Sequence, residues 1–573
     1  MIQRVFRLTM GGLSVLTLKR LVRPLCLAGL MGFFAMLVAC SDGPNSWSFS
    51  KGQVQAPSDA KLSYYAAARF ADQVAFGPNA ALIADIQRKG YSAWIDEQFA
   101  LPASQIDPNP KINQLIDAPA NDARPWYEAQ FPHLAIGAQD QLRMRVAWSL
   151  SQFLVISDGK VFPIAALEWA NMLQRLAFGN YAQILEAVAT SPAMGWYLDN
   201  AWNRPKSEQC TWCAPNENFA REFMQLFSIG VIKLNQDGSA KKDSAGRPIE
   251  TYQQRDVADL ARVLTGWTWT KDKPYAGKNA WTDWGKPMVA SEYRHEHDWG
   301  EKTVMGVRFA AGQTATQDLA QAVAMLMAHD NIAPFIALRM IQHLVMSNPS
   351  AAYVGRVAAA FKNNGQGQRG DMKAVVRAVL LDEEARRGDN PQASARGDGK
   401  LREPFQFQMT LWRGLSCKRL PTDVAGNANL AGSQRPFSPE TVFSFYAPTD
   451  TASGTSILAP EQRLVHEEEF KGRLGIHLNW SPIMRPEENA SQLSMSDAAC
   501  DVEGLLSAYR RSANAFADYL APRFFRGAIP ATLRLELSKI HEHLRQQTWM
   551  HEFDQATSLL SYALIGPSFG VIR

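Results

Sequence analysis

Along most of the chain, apolar residues return every three or four positions, and this spacing constrains the fold more than any other feature. It begins at residue 64 and recurs at 80–86 and 91–95, with Gly90 between them as a helix stop. Residues 142–156 are strongly apolar with two arginines and read as a buried helix. The pattern repeats at 181–189, 219–226, 257–264, 319–327, 335–345, 351–361 and 372–381, then at 502–519, 533–544 and 553–565. Strand signals are few. Residues 231–234 and 248–252 flank Asp237-Gly238, which predicts one small β-hairpin near 231–252. Residues 267–309 are rich in Gly, Pro and Trp and read as a long irregular insert. The expected fold is mainly α: one large multi-helix domain over 64–573 with a small β-hairpin and that insert. With 46% hydrophobic and 20% charged residues the chain can bury a large core and lacks the signature of disorder.

The first 63 residues read differently. Arg4, Arg7, Lys19, Arg20 and Arg23 precede the first acidic residue, Asp42, and residues 24–39 carry no charge. That run is shorter than the roughly 20 residues of a membrane-spanning helix. A basic start, a short apolar run and small residues at its end predict a secretory signal peptide over 1–39. Leu37-Val38-Ala39-Cys40 resembles the lipobox of bacterial lipoproteins, which implies acylation of Cys40 and membrane attachment through lipid. An uncleaved anchor, or a start at Met10, is the alternative. Ser41 in place of Asp is similar to the pattern that sorts lipoproteins to the outer membrane. Residues 40–63 read as a flexible tether. The five basic residues of the first 23 positions exceed the net charge of +4, so the rest of the chain is close to neutral and no basic stripe calls for nucleic acid.

Three stretches carry candidate chemistry. Cys210-Thr-Trp-Cys213 admits a small-loop disulfide, a metal pair or a redox pair; an oxidising compartment and the lack of a second close pair favour the disulfide. Cys417 and Cys500 stand alone. On a helix, Phe219, Ala220, Phe223, Met224, Leu226 and Phe227 share one side, and Glu217, Asn218, Arg221, Glu222 and Gln225 the other. Asn216 suits the N-cap, and Glu217 can pair with Arg221. The polar side is either a solvated face or the wall of a cleft in which Asn218, Arg221 and Glu222 bind a ligand. Residues 291–306 hold His295, Glu296, His297 and Asp298 in a row. These can ligate a cation, Asp298 can orient a neighbouring His as a base, or the segment is a simple turn. Around them lie Trp267, Trp269, Tyr275, Trp281, Trp284, Tyr293 and Trp299, which either stack on sugar rings or pack the insert onto the body. No GxSxG, HExxH or P-loop occurs in a fitting context.

Taken together, several motifs resemble one family: Arg145-Val-Ala-Trp, LAFGNYAQILEAVATSPAMGWYLD at 176–199, PNENFARE at 215–222, TYQQRDVADLARVLTGW at 251–267, HDWGEKTVMG at 297–306, KLREPF at 400–405 and SPETVFSFY at 438–446. The chain is similar to the bacterial family catalogued as domain of unknown function 1800. The resemblance implies a mainly helical envelope protein without a settled activity, and a co-encoded sulfatase-like protein as partner. It places Asn216 to Asn218, Arg221, Glu222, Asp256, His297, Asp298, Lys302, Lys400, Arg402 and Glu403 in the family pattern; His295 and the Cys210/Cys213 pair lie outside it. It implies that the polar set either gathers around one cleft or forms a buried network of arginines and carboxylates.

Three functions follow as expectations. The first is an outer-membrane lipoprotein acting as a binding or assembly module for a polysaccharide or partner protein, with Trp281, Trp284 and Trp299 as its surface and Asn218, Arg221 and Lys302 as binding groups. The second is a hydrolase-like enzyme with Glu222, His297 and Asp298 catalytic, and with a divalent metal on Glu217, Glu222, His297 and Asp298. The third is a structural envelope scaffold. The residues leave enzymatic and non-enzymatic readings both open.

Overall fold

The periodic stretches fold as helices, and polar residues at their ends set the boundaries. The computed structural model describes residues 62–106, 130–270, 284–395, 397–417, 433–474 and 500–572, all within one compact unit, Lys61–Arg573. Ser63 caps the helix Tyr64–Val74 by accepting from the Ala66 amide, and Asn79 caps Ala80–Lys89 in the same way. Gly90, at φ +76°, ends that helix and admits Tyr91–Ala100. Capping boxes at Asn180 and Thr314 start Tyr181–Thr190 and Ala315–Ala328. The expected helix at 502–519 is two, Val502–Arg511 and Ala513–Phe524, because Ser512 is extended and caps the second. Three further helices, Pro163–Leu176, Pro192–Tyr197 and Pro404–Gly414, each open on a proline, whose missing N–H costs nothing in the first turn.

The strands are short and antiparallel. Trp267–Thr268 pairs with Val289–Ala290, Lys302–Val304 with Val307–Phe309, and Lys400–Leu401 with Val571–Ile572. The described parts of the 267–309 insert, 267–270 and 284–309, carry two of these pairs, which the composition did not suggest. Met305 and Gly306, at φ +47° and +80°, form the tight turn of the second. The hairpin expected near 231–252 is present as antiparallel bridges, Ile232 with Glu250, Leu234 with Ala240 and Lys242 with Pro248. It has a third segment between the expected two. The Lys233 amide donates to Ile249, Ile249 to Lys241 and Lys241 to Lys233, closing a small backbone triangle.

The core holds Trp94, Trp148, Trp169 and Trp412 almost completely buried, with Trp148 and Phe405 ring centres 4.7 Å apart. Arg69, Arg145 and Arg402 are buried just as fully. Cys210 is bonded to Cys213, as expected, and Cys417 to Cys500, 83 positions away. No described helix is long and apolar enough to cross a membrane.

Candidate functional site

The helix Glu217–Gln225 begins where one asparagine gathers three segments. Asn203, buried, accepts from the Asn216 amide at 2.7 Å, donates to the Ala261 carbonyl at 3.1 Å, and accepts through its own carbonyl from Gly266 at 2.9 Å. It thereby fixes the helix start against Gln254–Val263 and against the beginning of the insert. Asn216 caps the helix through the Asn218 amide. Glu217 accepts from Arg221 at 2.9 Å and from Gln254 at 2.6 Å, while Asn218 reaches Asp199 at 3.3 Å. Glu217 and Arg221 are more than a third exposed, so this pair adds little to stability. Glu222 differs. Although it falls on the expected polar side, it is buried, and its Oε2 has no hydrogen-bond partner among the described residues. Burial raises its pKa, with Arg221 opposing. The Tyr252 hydroxyl beside it is also without a partner and is pushed up to about 12, by burial first, with Arg221 opposing and Glu222 adding to the rise.

Lys302 and His297 converge on one carboxylate, Asp318, while Asp298 is held by Arg262. Lys302 Nζ lies 2.5 Å from Asp318 Oδ2, and both side chains are fully buried. His297 Nε2 stands 3.3 Å from the same oxygen, and its Nδ1 donates to the Thr265 carbonyl at 2.9 Å. Thr265 Oγ1 is 3.0 Å from that Nδ1, so hydroxyl, imidazole and carboxylate follow one another as in a hydrolase triad. The proton placement excludes that role. The Thr265 hydroxyl donates to the Arg262 carbonyl at 2.6 Å, Nδ1 already carries its proton for the Thr265 carbonyl, and Thr265 is wholly buried. A Cβ at Gly266, at φ +89°, would come within 2.9 Å of His297 Cβ, which makes glycine necessary there. Asp298 does not orient His297. It takes Arg262 at 2.7 and 3.2 Å and the Gly300 amide at 2.9 Å. Burial works against its charge, yet these bonds hold its pKa below the usual aspartate value.

The four residues expected to share a metal, Glu217, Glu222, His297 and Asp298, thus have separate surroundings. Among the described residues no group of three or more His, Cys, Asp or Glu side chains is placed to hold an ion. His295 is half-buried beside Tyr293. Cys40 and Trp281 lie outside the described residues.

A second charged network forms where the sequence offered only motif matches. Lys400 Nζ reaches Glu403 at 2.6 Å and the Gln342 carbonyl at 3.1 Å. Gln434 donates to the other oxygen of Glu403, and Glu461 takes Ser347 and the Leu401 amide. Arg145 bridges the His343 carbonyl and Gln406, and Gln406 donates to the Asp72 carbonyl. Burial opposes the charge of Glu403, yet Lys400, His343 and Arg145 bring its carboxyl down to about 2. His343 goes the other way. Burial first, then Lys400, Arg339 and Arg145 against Glu403, pushes it down to about 3. Its neutral ring stacks beside Phe153 and Tyr446.

A pH dependence follows with a definite sign. Below the usual 6.5 the unfolded chain protonates this histidine and the folded one does not, so its contribution is complete above that value and is lost as pH falls toward 3. Between roughly pH 7.5 and 5 it is expected to cost about 2 kcal/mol. Urea midpoints at the two pH values should show this loss, and His343→Gln should flatten it; an unchanged slope in the variant contradicts the assignment.

One aromatic cluster with exposed members combines the insert with residues outside it. Trp284 lies 4.3 Å from Phe162, 4.7 Å from Trp269 and 5.8 Å from Trp196, and Trp202 lies 5.6 Å from Trp269. Trp202 is 50% exposed and Phe162 38%, while Trp269 is buried beneath them. Trp202 sits at φ +59°, a conformation side chains of its size rarely adopt. Its amide donates to Trp267 and its indole to Thr268, which pins it outward. Asp199, at φ +58°, pairs with Lys160 at 3.1 Å and supplies polar groups next to this shelf in sequence. Trp299 is not part of it: its indole donates to the Arg294 carbonyl, and the Arg294 guanidinium covers the ring at 4.3 Å. Phe162, Trp196 and Trp202 went unrecognised in the sequence because they lie outside the insert, in and before the helices that support it.

The model of the family described as Protein of unknown function (DUF1800) matches residues 69–571. The chain belongs to the DUF1800 family. No curated protein and no solved structure matches it. In this DUF1800 protein the polar residues of the PNENFARE and HDWGEKT segments do come to neighbouring elements, since Lys302–Val304 and Glu217–Gln225 both pack on Gln254–Val263. They arrive there mostly as pairs; Glu222 Oε2 and His297 Nε2 are the buried side-chain atoms of these two segments without a hydrogen-bond partner among the described residues.

Proposed function

We propose that this DUF1800 protein is an envelope binding module that receives a polysaccharide on the shelf formed by Trp202, Trp284 and Phe162. The observation that carries the reading is the shelf itself: mutually supporting rings, two of them well exposed, with Trp202 held outward by a left-handed backbone. Flat apolar faces of sugar rings stack on such rings, and a ligand that stacks needs no catalytic group. The Lys160–Asp199 pair and Asn218 offer hydrogen bonds to hydroxyls at its edge. The lipobox-like Leu37-Val38-Ala39-Cys40 and the signal-like start support anchoring at an outer membrane. The co-encoded sulfatase-like protein implied by the family is then a partner acting on the same polymer.

Affinity electrophoresis through gels containing isolated envelope polysaccharides tests the reading. Trp202→Ala, which removes an exposed ring, is expected to weaken retention about tenfold, or about 1.4 kcal/mol, with little change in melting temperature. Trp299→Ala should leave retention unchanged. Equal retention of the wild type and Trp202→Ala, or retention by neither, removes the shelf from the account.

A further inference from the structure

A second hollow lies apart from the aromatic shelf, between the helix Ile332–Leu344 and the segment 433–448. Its inner part has about 30 Å³ of free space, and an open cleft of about 510 Å³ adjoins it; both are lined by Phe443 and Tyr446. Arg339 lines the inner part. Its guanidinium lies 4.8 Å from the Phe335 ring centre and donates to Gln342 at 3.1 Å, and no described carboxylate pairs with it. Burial alone lowers its pKa to about 10, without an acidic group to offset it. Arg339 is half-buried among Phe153, Phe335 and Val442, so an anion entering the hollow would find a guanidinium with no acid of its own.

Two further side chains are incomplete in the same place. Gln152, buried and lining the inner part, has Oε1 without a donor. Ser444, buried and lining the outer cleft, has Oγ without a partner. Ser444 sits at φ +65° and Phe437 at φ +58°, so two non-glycine residues of this segment hold a conformation that costs about 1–3 kcal/mol each. The Asp158 amide fixes the first bend by donating to Phe437 at 2.9 Å. Such strain is retained where the surroundings impose it, and here it places Ser444 and Phe443 on the cleft.

We infer that this hollow binds the carboxyl end of an acylamino acid or short peptide. The carboxylate lies on Arg339, the adjacent amide N–H donates to Gln152 Oε1, and the rest of the chain runs past Phe443 toward Ser444. The inner space takes a head group of a few heavy atoms and excludes a sugar ring. The requirement for a donor next to the anion distinguishes this ligand from a simple carboxylate.

Titration calorimetry on the intact protein with N-acetylalanine, its carboxamide, and acetate tests the inference. Saturable binding of N-acetylalanine is expected, with the carboxamide and acetate each at least about tenfold weaker. Arg339→Gln should reduce N-acetylalanine binding by about tenfold or more, and Gln152→Leu by a similar factor. Ser444→Ala serves as a second probe if either variant fails to fold. Equal binding of the carboxamide, equal binding of acetate, unchanged affinity in Arg339→Gln, or no binding of N-acetylalanine each overturns it. Loss of polysaccharide retention in Trp202→Ala leaves this result untouched, so the two readings fail separately.

Discussion

Asp72→Asn is expected to lower the unfolding free energy by about 3–5 kcal/mol. Asp72 is 2% exposed and is the only carboxylate among the described residues bonded to both Arg402, at 2.8 Å, and Arg526, at 3.0 and 3.1 Å. Asparagine keeps the shape and removes the charge, which leaves two guanidiniums facing a neutral amide. Those arginines cannot simply turn to water. Arg402 is 1% exposed, donates also to Thr410 and the Phe569 carbonyl, and lies 4.5 Å from the Phe569 ring centre. The effect is also topological. Asp72 sits on the first described helix, Arg402 just after Lys400–Leu401, and Arg526 near the C-terminal helices, so one carboxylate links three distant parts of the chain. Burial opposes its charge, and the two arginines nonetheless hold its pKa below the usual 3.8. Its stabilisation is therefore present above that value and is lost only as pH falls through the folded one. Urea denaturation at neutral pH measures the loss; a change under about 1 kcal/mol contradicts the role.

The helical architecture was legible because period and capping agree. Met372–Leu381 has the bounds its apolar spacing predicts, and Glu217–Gln225 shows the expected cap, ion pair and buried phenylalanines. The helices Pro163–Leu176 and Pro404–Gly414 were not anticipated; each opens on a proline, which fits the first turn because its missing N–H has no partner there. The site was less legible for a reason of distance. Spacing reveals Glu217–Arg221, four positions apart, and cannot reveal that the partner of Lys302 is Asp318 or that of Asp298 is Arg262. His297-Asp298 reads as a dyad because the two are adjacent, yet neighbours in an extended segment point to opposite sides, and each found a partner elsewhere. Glu222 misled in the opposite sense: its helix face is polar in pattern, but the folded chain buries it.

These placements divide the molecule by role. Charged residues remote in sequence meet inside the fold, and most meet as pairs that join elements. Aromatic rings and an arginine without a described acid face outward or line a hollow, and recognition is assigned to them. If that division holds, the buried pairs matter through stability and the shelf through affinity.

Lys302 and Asp318 give the most direct test, through urea denaturation of Lys302→Met, Asp318→Leu and the double variant, with polysaccharide retention measured on each. Each single change is expected to cost about 3–5 kcal/mol, because it strands one buried charge, and the double change to cost less than either while keeping retention. Single variants that stay within about 1 kcal/mol of the wild type and yet lose retention would contradict that division of roles.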